Sequence, residues 1–228
     1  MEIESGVRST PLQPAMTIEQ QAIEFFLKEE VLKFGDFTLK SGRKSPYFFN
    51  TGSLCTAAQL AKMGEVYAAK LQSEKVFNKA DVVFGSAYKG IPIAVATAIA
   101  LAKTDRSNIR AVSDRKEAKT HGDKSSFLGD LNAGDKVVIV DDVISTGGTK
   151  LEAIEKLREA GATPIGLIIA FDRAEPAEGS KLTAKENFEK ETGLPVFALA
   201  NILDVARIRP DVKEAVDRYF SSLQVPNS

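Results

Sequence analysis

Apolar positions in this chain recur with two periods, and the alternation between them outlines a fold. Ile23, Phe26, Leu27, Val31 and Phe34 share one helical face, predicting a helix that opens on a Thr17/Gln20 capping box and stops at Gly35. A hairpin-like stretch, Phe37 to Asn50, follows with its turn at Ser41-Gly42-Arg43. Leu60, Met63, Tyr67 and Leu71 mark a second helix over 57–73. From there apolar runs alternate with helical stripes. They predict strands at 81–85, 109–112, 137–140, 165–171 and 195–199, and helices at 91–103, from about Thr149, and at 212–223. Continuous apolar runs are the mark of strands covered on both faces, so the class is α/β with a mostly parallel sheet flanked by helices. Ligands of such sheets bind beyond the carboxyl ends of the strands. The segment 113–132 breaks the rhythm: it is polar, has no apolar period, and carries Gly122 and Gly129. Loops this long in compact domains are usually functional, and this one predicts a mobile lid.

Composition narrows the class. The chain has 228 residues, enough for one domain with a substantial core, and 17–56 reads as a small N-terminal subdomain within it. A net charge of −1 lacks the footprint of a dedicated nucleic-acid binder, although Arg115, Lys116, Lys119, His121 and Lys124 concentrate cations in the lid. The single cysteine, Cys55, excludes an internal disulfide framework or cysteine-based zinc site and reads as a partly buried small hydrophobe in a reducing compartment. No apolar run reaches the ~18 residues of a membrane span. Met1 to Met16 lacks the apolar core of a signal peptide, so a cytoplasmic enzyme is expected.

The chemistry begins after strand 137–140. That strand runs into Asp141-Asp142-Val143-Ile144-Ser145-Thr146-Gly147-Gly148-Thr149, and the next helix starts at once, with Leu151, Ile154 and Leu157 as its stripe. Strand, polar turn and helix present free backbone N–H groups and the positive end of a helix to phosphate. A site for phosphate alone would avoid two carboxylates. Their presence points to a ligand that also donates hydrogen bonds, such as the hydroxyls of a ribose. A Walker P-loop is excluded, since Gly-x-x-x-x-Gly-Lys-Ser/Thr is absent.

This segment resembles the motif with which type I phosphoribosyltransferases bind 5-phosphoribosyl 1-diphosphate (PRPP). Four further segments resemble the orotate-specific branch: Thr38 to Asn50; Ala87-Tyr88-Lys89-Gly90-Ile91-Pro92; Arg115-Lys116-Glu117-Ala118-Lys119-Thr120-His121-Gly122; and Asp172-Arg173. The resemblance implies the type I phosphoribosyltransferase fold, with 17–56 as a hood and 113–132 as the catalytic loop. It implies transfer of the ribose 5-phosphate of PRPP to orotate, giving orotidine 5′-monophosphate and diphosphate. Contacts to PRPP are implied for Lys40, Tyr88, Lys89, Arg115, Lys116, Lys119, His121, Asp141, Asp142, Val143, Ile144, Ser145, Thr146, Gly147, Gly148 and Thr149. Of these, Lys119, Asp141 and Asp142 carry the catalytic assignment. Contacts to orotate are implied for Phe48, Phe49, Ser145 and Arg173. Mg²⁺ is expected as cofactor, held by PRPP oxygens and water and by no protein ligand directly. A homodimer is expected too, with Lys116 acting in the neighbouring site.

The residue types suit that chemistry independently. A planar pyrimidine carboxylate needs a flat apolar wall and a two-pronged cation, which Phe48-Phe49 and Arg173 can supply. Adjacent strand residues point to opposite faces, so one of the two phenylalanines is expected in the core. Departing pyrophosphate needs cations, supplied by Lys89 and the lid. Two departures stand out. Asp123-Lys124-Ser125-Ser126 replaces the family's common Glu-Gly-Gly, which should stiffen the lid. Ser145-Thr146-Gly147-Gly148-Thr149 follows the general transferase form, unlike the Thr-Ala-Gly-Thr-Ala of some orotate enzymes. Two rivals are a transferase for another base and a non-catalytic PRPP sensor. Phe48-Phe49 with Arg173 argue against the first, and the retained lid cations against the second. A fused orotidylate decarboxylase domain is not expected.

Overall fold

The computed structural model describes residues 15–39, 42–115, 126–144, 147–177 and 179–223. Helix α1 (Ile18–Lys28) opens on the expected capping box, with Thr17 accepting from the Gln20 N–H and the Gln20 side chain accepting from the Thr17 N–H. It ends seven residues before Gly35, because Glu30 takes a positive φ of 53° and turns the chain. Val31 and Phe34 therefore belong to the approach and body of strand β1 (Leu32–Thr38), not to the helix. Their spacing imitates a helical face, and a left-handed glutamate carries no sequence signal.

Strand β1 pairs antiparallel with β2 (Lys44–Phe49) as a separate two-stranded sheet with a bulge between Phe34 and Phe37. Helix α2 (Ala57–Ser73) has a second capping box, Thr56 with Gln59, and the expected bounds. Cys55, just before it, is exposed and not the partly buried residue anticipated. Strand β3 (Val82–Gly85), helix α3 (Gly90–Leu101) and strand β4 (Arg110–Asp114) follow. The polar stretch after β4 is anchored by a short strand the sequence did not announce, β5 (Phe127–Leu128), antiparallel to β4. Then come β6 (Lys136–Asp141), α4 (Gly148–Glu159), β7 (Thr163–Asp172), α5 (Ala184–Thr192), β8 (Val196–Asn201), α6 (Ile202–Ile208) and α7 (Pro210–Leu223). Helices α5 and α6 were also unanticipated. The first begins on a Thr183/Glu186 capping box and the second on Asn201, which caps the Asp204 N–H.

The main sheet has the order β5-β4-β3-β6-β7-β8, parallel except for β5. Its central strands, β3, β6 and β7, are buried on both faces. In β6, Val138 and Val140 enter the core shared with Phe26, Met63, Tyr67, Ile93 and Val216, while Val137 and Ile139 face Ile154, Leu157 and Phe188. Each such fully buried side chain contributes about 1.5–3 kcal/mol. The 17–56 region shares the first of these cores through Ala22, Phe26, Tyr47 and Phe49, so its packing is continuous with the main sheet. Among the described residues no helix is long and apolar enough to cross a membrane.

Candidate active site

Strand order places the site. Taking the parallel strands alone, β3 leads outward to β4, and β6 leads the other way to β7 and β8. The chain thus reverses its direction of winding between neighbours β3 and β6, which pair from Val82↔Val137 to Gly85↔Val140. Loops leaving the carboxyl ends of two such strands diverge and open a crevice, the usual ligand position in open α/β sheets. The loop after β3 is 86–89; the loop after β6 is the Asp141-Asp142 motif. The polar run singled out in the sequence lies on one lip of this crevice, with Lys89 on the other.

The first lip is pinched shut at its base. A Cβ on Gly85 would stand 2.0 Å from the Gly90 carbonyl oxygen, and one on Gly90 would stand 2.8 Å from the Gly85 carbonyl carbon, so only glycine fits at either position. Between them run Ser86, Ala87, Tyr88 and Lys89, with a cis peptide joining Ala87 to Tyr88. Tyr88 is 70% exposed. The Ala87 N–H donates to the buried Asp114 carboxylate at the end of β4 (2.7 Å), which also pairs with Lys156 of α4 (3.4 Å). Asp114 therefore ties this loop to the strand from which the polar stretch departs, a role no sequence pattern signalled. The buried Ser86 hydroxyl has no hydrogen-bond partner among the described residues.

On the second lip the two aspartates divide. Asp142 accepts from the Val143 N–H (2.9 Å) and from the Lys89 ammonium (2.7 Å). Lys89 is half exposed, so its head is free to turn toward an anion entering the crevice. Asp141 is turned inward. Its oxygens accept from the Asp142 N–H (2.8 Å) and from Lys150 of α4 (2.6 Å), and both side chains of this ion pair are about nine-tenths buried. Burial pushes the Asp141 carboxyl above the usual aspartate range, against the pull of Lys150. Behind it the Tyr67 hydroxyl donates to the Asp141 carbonyl (2.8 Å), and burial with the two nearby carboxylates pushes that phenol well up. Val143 and Ile144 continue from the pair, and Gly147 enters α4 in the left-handed region at φ 80°, with no side chain among the described residues capping the helix. Gly148 and Thr149 are its exposed first residues. Uncapped N–H groups at a helix start suit phosphate.

The base-side residues separate as strand parity requires. Phe48 is 40% exposed and stacks on Phe37 (5.6 Å between centroids), so it alone of the two offers a flat face. Phe49 is core: it stacks on Phe171 (4.7 Å, 9°) and meets Phe26 edge-on, which removes it as a wall. Arg173 follows β7 and lies over the Tyr47 ring, 5.0 Å from its centroid. Its Nε and Nη2 donate to Glu175 at 2.9 and 2.6 Å. Arg115 donates its N–H to the Ser126 carbonyl (2.8 Å) and its Nε to the Phe127 carbonyl (3.2 Å), bracing the stem of the polar stretch. Lys40, Lys116, Lys119, His121, Ser145 and Thr146 lie outside the described residues. Lys150, Asp114 and Glu175 were missed in the sequence. Among the described residues no cluster of three or more His, Cys, Asp or Glu is arranged to hold a metal. The crevice instead offers hard carboxylate oxygens, which suit a water-mediated Mg²⁺.

Residues 53–199 match the phosphoribosyl transferase domain family. The chain is 45% identical over 210 residues to an orotate phosphoribosyltransferase of Methylococcus capsulatus, covering 90% of this chain and 97% of the relative. It is 43% identical over 206 residues to one of Yersinia pestis, covering 90% and 94% respectively. Among solved structures, an orotate phosphoribosyltransferase of Francisella tularensis superposes with a TM-score of 0.75 at 37% identity, over 88% of this chain and 95% of that one.

Proposed function

The chain belongs to the orotate phosphoribosyltransferase family, and from that premise we infer that it joins orotate to PRPP, yielding orotidine 5′-monophosphate and diphosphate for pyrimidine nucleotide synthesis. The observation that carries the reading is the pairing of Lys89 with Asp142 across the switch-point crevice. It sets a cation for a pyrophosphate beside a carboxylate for ribose hydroxyls.

In the reaction a ring nitrogen of orotate bonds to the anomeric carbon of the ribose while the bond from that carbon to the pyrophosphate oxygen breaks. The bonding pair leaves with pyrophosphate; the ring nitrogen's proton passes to solvent water before the attack, and the nitrogen lone pair forms the new bond. No protein nucleophile is needed. The residues align the partners, neutralise the leaving group and keep water out. Asp142 and the inward Asp141 form the ribose lip, and the α4 start with Gly147, Gly148 and Thr149 receives the 5-phosphate. Lys89 turns from Asp142 to the pyrophosphate, joined by Lys119, His121 and Arg115 from the catalytic loop. Phe48 and Arg173 receive the base. Asp142 would hold a Mg²⁺ carried by PRPP through one of its waters, and the ion would supply further charge neutralisation there.

The direct test is loss of orotate absorbance dependent on PRPP and Mg²⁺, with uracil and adenine as control bases. Activity with uracil or adenine and none with orotate would reject the assignment. The clamp has its own test. Arg173→Ala should raise the Michaelis constant for orotate at least about tenfold, the loss of a charge-assisted pair, and leave that for PRPP within about twofold. The reverse pattern would refute it.

The enzyme is also proposed to act as a homodimer. Helix α3 is apolar almost throughout, yet Val95 and Ile99 are 43% and 63% exposed, a face that a second copy would cover. With Lys116 contributed in trans, inactive Lys116→Ala and Asp142→Asn proteins mixed in equal amounts should recover up to about a quarter of wild-type activity. Half of the dimers are then hybrids with one intact site each. No recovery after subunit exchange, verified by mass spectrometry, would rule out the shared site.

A further inference from the structure

Arg173 does not stand alone at the end of β7. The Glu175 carboxylate lies against it, with Oε1 accepting from Arg173 Nε (2.9 Å), Arg173 Nη2 (2.6 Å) and the Tyr47 hydroxyl (2.7 Å). Its other oxygen pairs with Arg43 Nη1 (3.2 Å), from the turn between β1 and β2. The Glu175 and Arg173 side chains are only 12% and 18% exposed. Tyr47 is fully buried, and its hydroxyl is also 3.3 Å from the Arg173 carbonyl. The backbone is bent to make this possible. Ala174, between the two, sits in the left-handed region at φ 52°, and its N–H is held by the Asp172 carboxylate (2.8 Å). An alanine there costs about 1 kcal/mol that an extended backbone would not, so the turn is retained against a local penalty.

We propose that Glu175 is the positioning residue for the base-recognising arginine: it occupies the Nε–Nη2 edge of Arg173, leaves Nη1 for the carboxylate of the incoming base, and ties that orientation to the hood hairpin through Tyr47 and Arg43. A guanidinium has five donors in a fixed plane, so satisfying one edge with a protein carboxylate fixes where the other edge points. Without Glu175 the side chain is free to rotate, and each orotate must order it anew. Specificity for an acidic base would then come from two carboxylates sharing one arginine, one of them permanently resident. This rests on the orotate reading of Arg173.

Steady-state kinetics of Glu175→Ala, Glu175→Gln and Arg173→Ala, with orotate and PRPP each varied, test it. Glu175→Ala should raise the orotate Michaelis constant about tenfold, with that for PRPP within about twofold. Glu175→Gln, which keeps the shape and one acceptor, should recover part of the loss, to about threefold. The glutamine variant also serves if the alanine one does not fold. Three results would overturn the proposal. In the first, both Glu175 variants keep the wild-type orotate constant while Arg173→Ala raises it, which spares the clamp itself. In the second, the PRPP and orotate constants rise together with a lowered Tm, the mark of a merely structural role. In the third, Arg173→Ala leaves the orotate constant unchanged, which removes the clamp and the proposal with it.

Discussion

Replacing Lys150 by methionine is expected to cost about 3–5 kcal/mol of folding stability at neutral pH, among the largest single-site losses in this chain. Lys150 reaches from the first turn of α4 to Asp141, 2.6 Å away, and both groups are shielded from water. Methionine preserves most of the lysine's length and volume, so the loss isolates the uncompensated Asp141 carboxylate. Denaturant unfolding of the two proteins measures it, and a difference below 1 kcal/mol would show that water solvates Asp141. The pH dependence has a definite sign. Burial already raises the native Asp141 carboxyl above its unfolded value, and removing Lys150 raises it further. A raised native value favours the folded state while the group is protonated, below the unfolded value, and loses that advantage as pH climbs through the native one. The deficit of Lys150→Met should therefore be smallest in acid and widen toward neutrality. A constant deficit would place the cost in packing.

The second large effect belongs to the proposed catalytic loop. Lys119→Ala should lower turnover about 10²–10³-fold while changing orotate binding by less than about threefold, if its charge meets the additional negative charge that develops on the departing oxygen in the transition state. Single-turnover kinetics beside an orotate titration separate the two quantities. Unchanged turnover would remove Lys119 from the chemistry. At the stem of that stretch β4 and β5 pair at Ser113↔Leu128 and Asp114↔Phe127, and Asp114 also holds the Ala87 N–H of the lip that carries Lys89. The base of the loop and the proposed pyrophosphate lip therefore share one carboxylate.

Local chemistry was legible where the residues that carry it are adjacent in the chain. The α1 capping box, the bounds of α2 and the passage from strand to helix around the Asp141-Asp142 pair stand as read. Parity foretold that one of Phe48 and Phe49 would be core, but which one depends on the bulge and register of β1 with β2. Helix α1 was extended too far because Val31 and Phe34 keep helical spacing across a turn made by Glu30, a residue with no turn preference. The Thr183/Glu186 box of α5 was visible in principle, but its helix has few apolar residues to draw attention. Lys150, Asp114 and Glu175 were beyond reach for a different reason. Their partners Asp141, Ala87, Tyr47 and Arg43 are brought to them by tertiary packing, and a buried lysine or glutamate looks like a surface one until that packing is known.

The contact between Gly85 and Gly90 has a consequence for how this enzyme can vary. Because neither position can accept even a methyl group, the two glycines work as a clasp at the base of the Ser86-Ala87-Tyr88-Lys89 loop. Substitutions of the clasp, or of the buried Ser86 and Ala87 that it leads into, are transmitted to the core directly, whereas Tyr88 and Lys89 face solvent. A combinatorial library that keeps both glycines, Ser86 and Ala87 and randomises only Tyr88 and Lys89 would vary the crevice lip on an unchanged scaffold, as a cassette exchanged at fixed ends.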